Sequence, residues 1–95
     1  MVDIMSMAIY TVGADEIRVK KMVGIAEAWG YGGSYSNSER LLIDAKKGKF
    51  TSILVVDYEA LEDKIVKELE KIGIEIISLK DKEKLRKKIE ESYTI

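Results

Sequence analysis

Residues Phe50 to Val56 read FTSILVV, β-branched and apolar on both faces. A strand with one wet face alternates apolar and polar residues, and this one does not. It therefore predicts a central strand covered on both sides, as in a parallel sheet sandwiched between helices. Asp57 follows at its carboxyl end. Upstream, Ser36 to Glu39 (SNSE) places a serine at a helix start with a glutamate three residues on. That is the capping-box pattern, in which each side chain satisfies a free backbone N–H. The helix it opens carries Leu41, Leu42 and Ala45, then Lys46 and Lys47, and Gly48 ends it. Downstream, Leu61, Ile65, Leu69 and Ile72 mark an amphipathic helix ended by Gly73. Ile74 to Leu79 (IEIISL) is a further strand, and Asp81 can cap a last helix with a thin stripe at Leu85, Ile89 and Tyr93.

The first half repeats the alternation. Met7 to Val12 (MAIYTV) is an apolar run stopped by Gly13 and reads as a buried strand. From Asp15 the period becomes helical, with Val19, Met22, Val23, Ala26 and Trp29 on one face, and Gly30 is placed to end it. Tyr31 to Tyr35 (YGGSY) reads either as a short strand or as a loop, because paired glycines weaken a strand. The order β-α-β-α-β-α-β-α predicts a single domain over residues 1–95. Its class is three-layer α/β, an open and mainly parallel sheet of four strands in the manner of flavodoxin-like and resolvase-like folds.

Composition narrows the function classes. The 95 residues are one domain's worth, 46% hydrophobic and 35% charged, with net charge -1. That excludes a disordered chain and lacks the basic surplus of a dedicated DNA-binding domain. No apolar run is long enough to span a bilayer. Met1 to Tyr10 carries Asp3 and no basic residue, unlike a secretory signal, so cytoplasmic residence is expected. Without cysteine or histidine there is no disulfide framework and no usual transition-metal site, and no cofactor is expected. Abundant Lys, Glu and Ile point towards a thermophile, while the absence of proline points the other way.

Several segments together resemble the catalytic domain of serine site-specific recombinases, the resolvase and invertase family. They are the first strand with its polar turn, the Ser-rich aromatic loop before Arg40, the helix ending in Lys46-Lys47-Gly48, the strand ILVV, and ELEKIGIEIISL at residues 68–79. The resemblance spans roughly Met7 to Leu79. It implies a serine nucleophile after the first strand, with an arginine two residues before it and further arginines after the central strand. Guanidinium groups serve there to stabilise charge on the phosphate oxygens. In this sequence Thr11 falls at the arginine position, Gly13 at the nucleophile position, and Glu59, Ala60 and Asp63 where the later arginines stand. Arg40, preceded by Ser36 and Ser38, is the one counterpart. The chain also stops before that family's long dimerisation helix and DNA-binding domain. The resemblance thus implies a truncated relative that has lost strand cleavage, which leans against an enzyme without deciding it.

In an open parallel sheet, ligands sit at the carboxyl ends of the strands. Thr11, Gly13, Ser36, Ser38, Arg40 and Asp57 are the candidate ligand- or phosphate-binding residues there. Each also has a plainer reading. The serines and Glu39 account for a capped helix, Gly13 for a tight turn, and Asp57 for a helix cap. Asp57 also stands where receiver domains keep a phosphoacceptor aspartate. Tyr31, Tyr35, Tyr58 and Trp29 could form a contact surface, although Trp29 fits the core better. The Lys82 to Lys88 run, interleaved with glutamates, reads as a solvated helix face. The leading expectation is a non-catalytic module acting through protein contacts, as a homodimer or a recombination accessory. The alternative is a phosphate- or nucleotide-binding protein, or an enzyme, using the strand-end crevice. A weak nucleic-acid accessory protein is the third, and no membrane partner is expected.

Overall fold

The computed structural model describes residues 6–93. Strand β1 (Met7–Tyr10) is followed by α1 (Glu16–Trp29), β2 (Tyr31–Tyr35), α2 (Ser38–Lys46) and β3 (Ser52–Val55). A 3-10 turn (Tyr58–Ala60), α3 (Asp63–Lys71), β4 (Glu75–Ser78) and α4 (Lys82–Tyr93) complete the chain. The four strands form one sheet in the order β2-β1-β3-β4, and every pairing is parallel. The three-layer α/β architecture expected from the sequence is present.

Alternation along each strand builds two cores. Met7, Ile9, Leu54 and Ile77 face α1 and α4, where they pack with Met22, Ala26 and Leu85. Ala8, Tyr10, Ile53, Val55 and Ile76 face α2 and α3, with Leu41, Ala45, Phe50, Ile65 and Leu69. Successive side chains of a strand point to opposite faces, so a strand apolar at every position can serve both layers. Two buried serines are satisfied, whereas the Trp29 indole N–H has no hydrogen-bond partner among the described residues. The Ser52 hydroxyl donates to the Ser6 carbonyl, and that of Ser78 donates to the Val56 carbonyl.

YGGSY resolves as an edge strand with a bulge. Met7 pairs with Tyr31 and Ile9 with Ser34, so β2 carries one extra residue over this stretch. Gly33 absorbs it at φ 110°. Gly32 lies so close to the neighbouring strand that a Cβ there would sit 3.0 Å from the Phe50 Cβ and 3.1 Å from the Met7 carbonyl carbon. Both glycines that weakened the strand reading are thus what the strand requires.

Two helix starts differ from expectation. The residue capping α2 is Asn37 and not Ser36, and its Oδ1 accepts from the N–H groups of Glu39 and Arg40. Since β2 runs to Tyr35, Ser36 is used in the bend, which places Glu39 one position too early for a capping box. The third helix begins at Asp63, after an extended Glu62. Leu61 is still buried, while Ile72, past the last turn, is 43% exposed. Trp29 is half-buried against the α1–α4 core, with the Lys88 ammonium 4.3 Å from its ring centroid. In α4, Leu85 is buried as expected, and the side chains of Ile89 and Tyr93 lie outside the described residues.

The glycine geometry predicts opposite outcomes for two alanine substitutions. Gly32→Ala should lower stability by about 1–3 kcal/mol through overpacking. Gly24→Ala, inside α1 with nothing within 4 Å of the new Cβ, should raise it by about 0.5–1 kcal/mol. Urea unfolding of both variants reads the signs, and a stabilising Gly32→Ala would contradict the close approach.

Candidate functional site

The strand order sets where a crevice can open. The chain passes from β1 to β2 on one side, then crosses back over β1 to β3 and β4. The direction reverses between β1 and β3, and at that point the loops leave the sheet to opposite faces. A crevice of about 370 Å³ lies at the strand carboxyl ends, lined by Gly13, Arg18, Lys21, Val56, Leu79, Lys80 and Lys82. Gly13 contributes the end of β1, Val56 that of β3, and Leu79 and Lys80 that of β4.

Local structure fixes its walls. Ala14 N–H donates to the Thr11 carbonyl at 3.0 Å, closing a tight turn with Gly13 at φ 83°. The turn delivers Asp15 as the N-cap of α1, where its carboxylate accepts from Arg18 N–H at 2.9 Å and pairs with the Arg18 guanidinium at 3.3 Å. Asp57 caps the 3-10 turn, and its Oδ2 lies 2.7 Å from Lys80 Nζ. The hydrogen bond from Lys80, then that from Glu59 N–H, holds the Asp57 carboxyl below the ordinary carboxylate value. Lys21 and Lys82 make no ion pair among the described residues. Four cations thus surround an apolar floor of Val56 and Leu79, and two of them carry internal carboxylate partners.

The candidate residues divide. Gly13 lines the crevice, and Asp57 reaches it through Lys80. Thr11 sits at the root of the same turn, but its hydroxyl donates to the Tyr35 carbonyl at 3.2 Å. Ser36 and Ser38 flank the α2 cap, and Arg40 lies in a separate shallow depression with Asn37, Glu39 and Ile43. The α2 N-terminus is already served, because Asn37 takes the Glu39 and Arg40 N–H groups. Among the described residues, no group of three or more acids stands together as a cation cage. Of the four crevice cations, only Lys82 is read from the sequence, as part of a solvated helix face. Their common signal is position, since each falls in the loop after a strand or the first turns of the helix that follows it.

Another polar cluster lies beneath β2. The Tyr35 hydroxyl donates to Asp44 Oδ2 at 2.6 Å, and Asp44 is buried on α2 with Lys49 3.7 Å from its other oxygen. Burial and then this hydrogen bond push the Tyr35 phenol up to about 12. The same bond holds Asp44 below its usual value. At the far edge, Lys84 Nζ donates to the Ile76 carbonyl of β4 and the Tyr58 hydroxyl to Asp81. These contacts border a mixed groove of Val66, Ile74 and Ile76 with Asp63, Glu70 and Glu75. They also occupy the edge that a free strand would otherwise expose. The four aromatic residues are therefore dispersed, with Tyr35 and Tyr58 each tied to its own carboxylate.

No helix among the described residues is long and apolar enough to cross a membrane. No protein-family profile, curated protein or solved structure matches the chain.

The Tyr35–Asp44 bond predicts an alkaline signature. Burial and then this bond raise the folded-state pKa of the Tyr35 phenol from 10.0 to about 12, so the stabilisation by the neutral phenol is complete below pH 10 and lost as pH rises towards 12. The gap in urea midpoint between wild type and Tyr35→Phe should therefore shrink across that window. A gap that stays constant there would remove the bond from the stability account.

Proposed function

We propose that this chain is a phosphate-binding α/β domain that holds a phosphate-bearing ligand in the crevice at the carboxyl ends of β1, β3 and β4. The observation that carries the reading is the convergence of Arg18, Lys21, Lys80 and Lys82 on one crevice, in a chain whose net charge is only -1. Cations concentrated at one point of a balanced surface focus the field there. Guanidinium and ammonium donors, together with a glycine turn that lets the backbone approach, suit phosphate oxygens. The place is also the one that open parallel sheets favour for ligands. Binding is the chemistry these side chains offer, since the lining supplies cations and apolar floor rather than a nucleophile or a base. This favours phosphate binding over an enzymatic use of the same crevice.

The test uses pyrophosphate as probe, with thermal unfolding and titration calorimetry at low salt. Wild type should bind and gain thermal stability, and Lys21→Glu with Lys82→Glu should weaken binding by tenfold or more, about 1.4 kcal/mol. Wild type that neither binds nor gains stability sinks the reading, as does a double variant that binds as well as wild type.

A further inference from the structure

The crevice contains its own competitor. Lys80 Nζ holds Asp57 Oδ2 at 2.7 Å, although the Lys80 side chain is 70% exposed and that of Asp57 35%. Two residues from different strand ends thus meet at the edge of the site, Lys80 lining it and Asp57 beside it. Apart from Lys80, the carboxylate is held only by backbone N–H groups, that of Tyr58 and that of Glu59 at the long distance of 3.4 Å. Asp15 is held more firmly, because its carboxylate accepts from Arg18 N–H at 2.9 Å as the cap of α1. An incoming anion therefore meets two ammonium groups that have no carboxylate partner among the described residues, Lys21 and Lys82, and one whose partner can be exchanged.

Charge decides which anion wins Lys80. A carboxylate carries one negative charge, whereas a phosphomonoester carries about -1.5 to -2 at neutral pH, with three acceptor oxygens. The exposed lysine stem lets the ammonium turn from one to the other without moving the backbone. Size decides the class of ligand. A volume of about 370 Å³ falls in the range of small-molecule sites. A nucleic-acid backbone instead needs cations spread along a track, and here Asp15 and Asp57 pair with two of the four cations.

Resting on the phosphate-binding reading, we propose that the crevice takes the terminal phosphate of a small phosphorylated molecule by exchange, the phosphate replacing the Asp57 carboxylate on Lys80. Asp57 is then an internal counter-ion that sets the affinity, and the apolar floor of Val56 and Leu79 supports the organic part of the ligand. Asp57→Asn keeps a good capping side chain for the 3-10 turn, so the fold is retained while the competing charge is removed.

Titration calorimetry with inorganic phosphate, adenosine monophosphate and a short DNA duplex tests the exchange, with thermal melts confirming that each variant is folded. Asp57→Asn should tighten phosphate and nucleotide binding about three- to tenfold, and adding Lys80→Gln should abolish that gain. Wild type binding with Asp57→Asn no tighter overturns the exchange but leaves the phosphate site standing. A gain that survives Lys80→Gln also overturns it. Binding of the duplex alone overturns the small-molecule class. If neither wild type nor Asp57→Asn binds any probe, the phosphate-binding reading itself fails.

Discussion

Burial of β1 and β3 on both faces is the constraint on which the rest depends. All four residues of each strand are buried, and their side chains alternate between two separate cores. A strand in that position needs a helical layer on either side, and parallel pairing supplies it because every crossover must return over a face of the sheet. The helices thus divide between the layers, α1 and α4 on one and α2 and α3 on the other. Truncating Leu54, which is fully buried, would remove contacts at the centre of the α1–α4 layer, the kind of change that costs about 2–5 kcal/mol.

The same arrangement creates the crevice without any dedicated element. Because the strand order reverses between β1 and β3, no crossover bridges the carboxyl ends there, and a gap is left where three strand ends converge. Gly13 turns the chain sharply at the first end, and the cations come from the first turns of α1 and α4 and from the end of β4. Two carboxylates within this cluster double as caps, Asp15 for α1 and Asp57 for the 3-10 turn. One side chain therefore both ends a free backbone N–H and neutralises a neighbouring cation. This is how a strongly cationic pocket coexists with a nearly neutral chain.

The two sheet edges are treated differently. The outer edge of β4 is closed by side chains, with Lys84 on the Ile76 carbonyl and the Tyr58–Asp81 pair alongside. At β2 the extra residue at Gly33 breaks the regular ladder instead. Donor capping and a bulge are both recognised ways of discouraging a further strand. Beneath β2, the Tyr35–Asp44 bond ties the strand to α2 and, with the Tyr35–Phe50 ring contact at 5.5 Å, anchors the edge.

The sequence by itself determined the element order, the layer architecture and the central strand, because these rest on local periodicity, and period 2 or 3.6 is written in the chain. It also named Gly13 and Asp57, since a glycine or acid just past a strand is a local signal. Tertiary structure decided the rest. Asn37 displaced Ser36 as the cap because β2 extends to Tyr35, a length that pairing with β1 sets. Gly32 is required by its distance to Met7 and Phe50, and Asp44 is buried because Tyr35 and Lys49 come to it from other segments. The candidate residues likewise separated into a crevice and an independent helix start at α2. Lys80 meets Asp57 from 23 positions away only because β3 and β4 are neighbours. Pairings of that kind follow from which strands lie side by side, and no residue pattern read along one chain encodes that order.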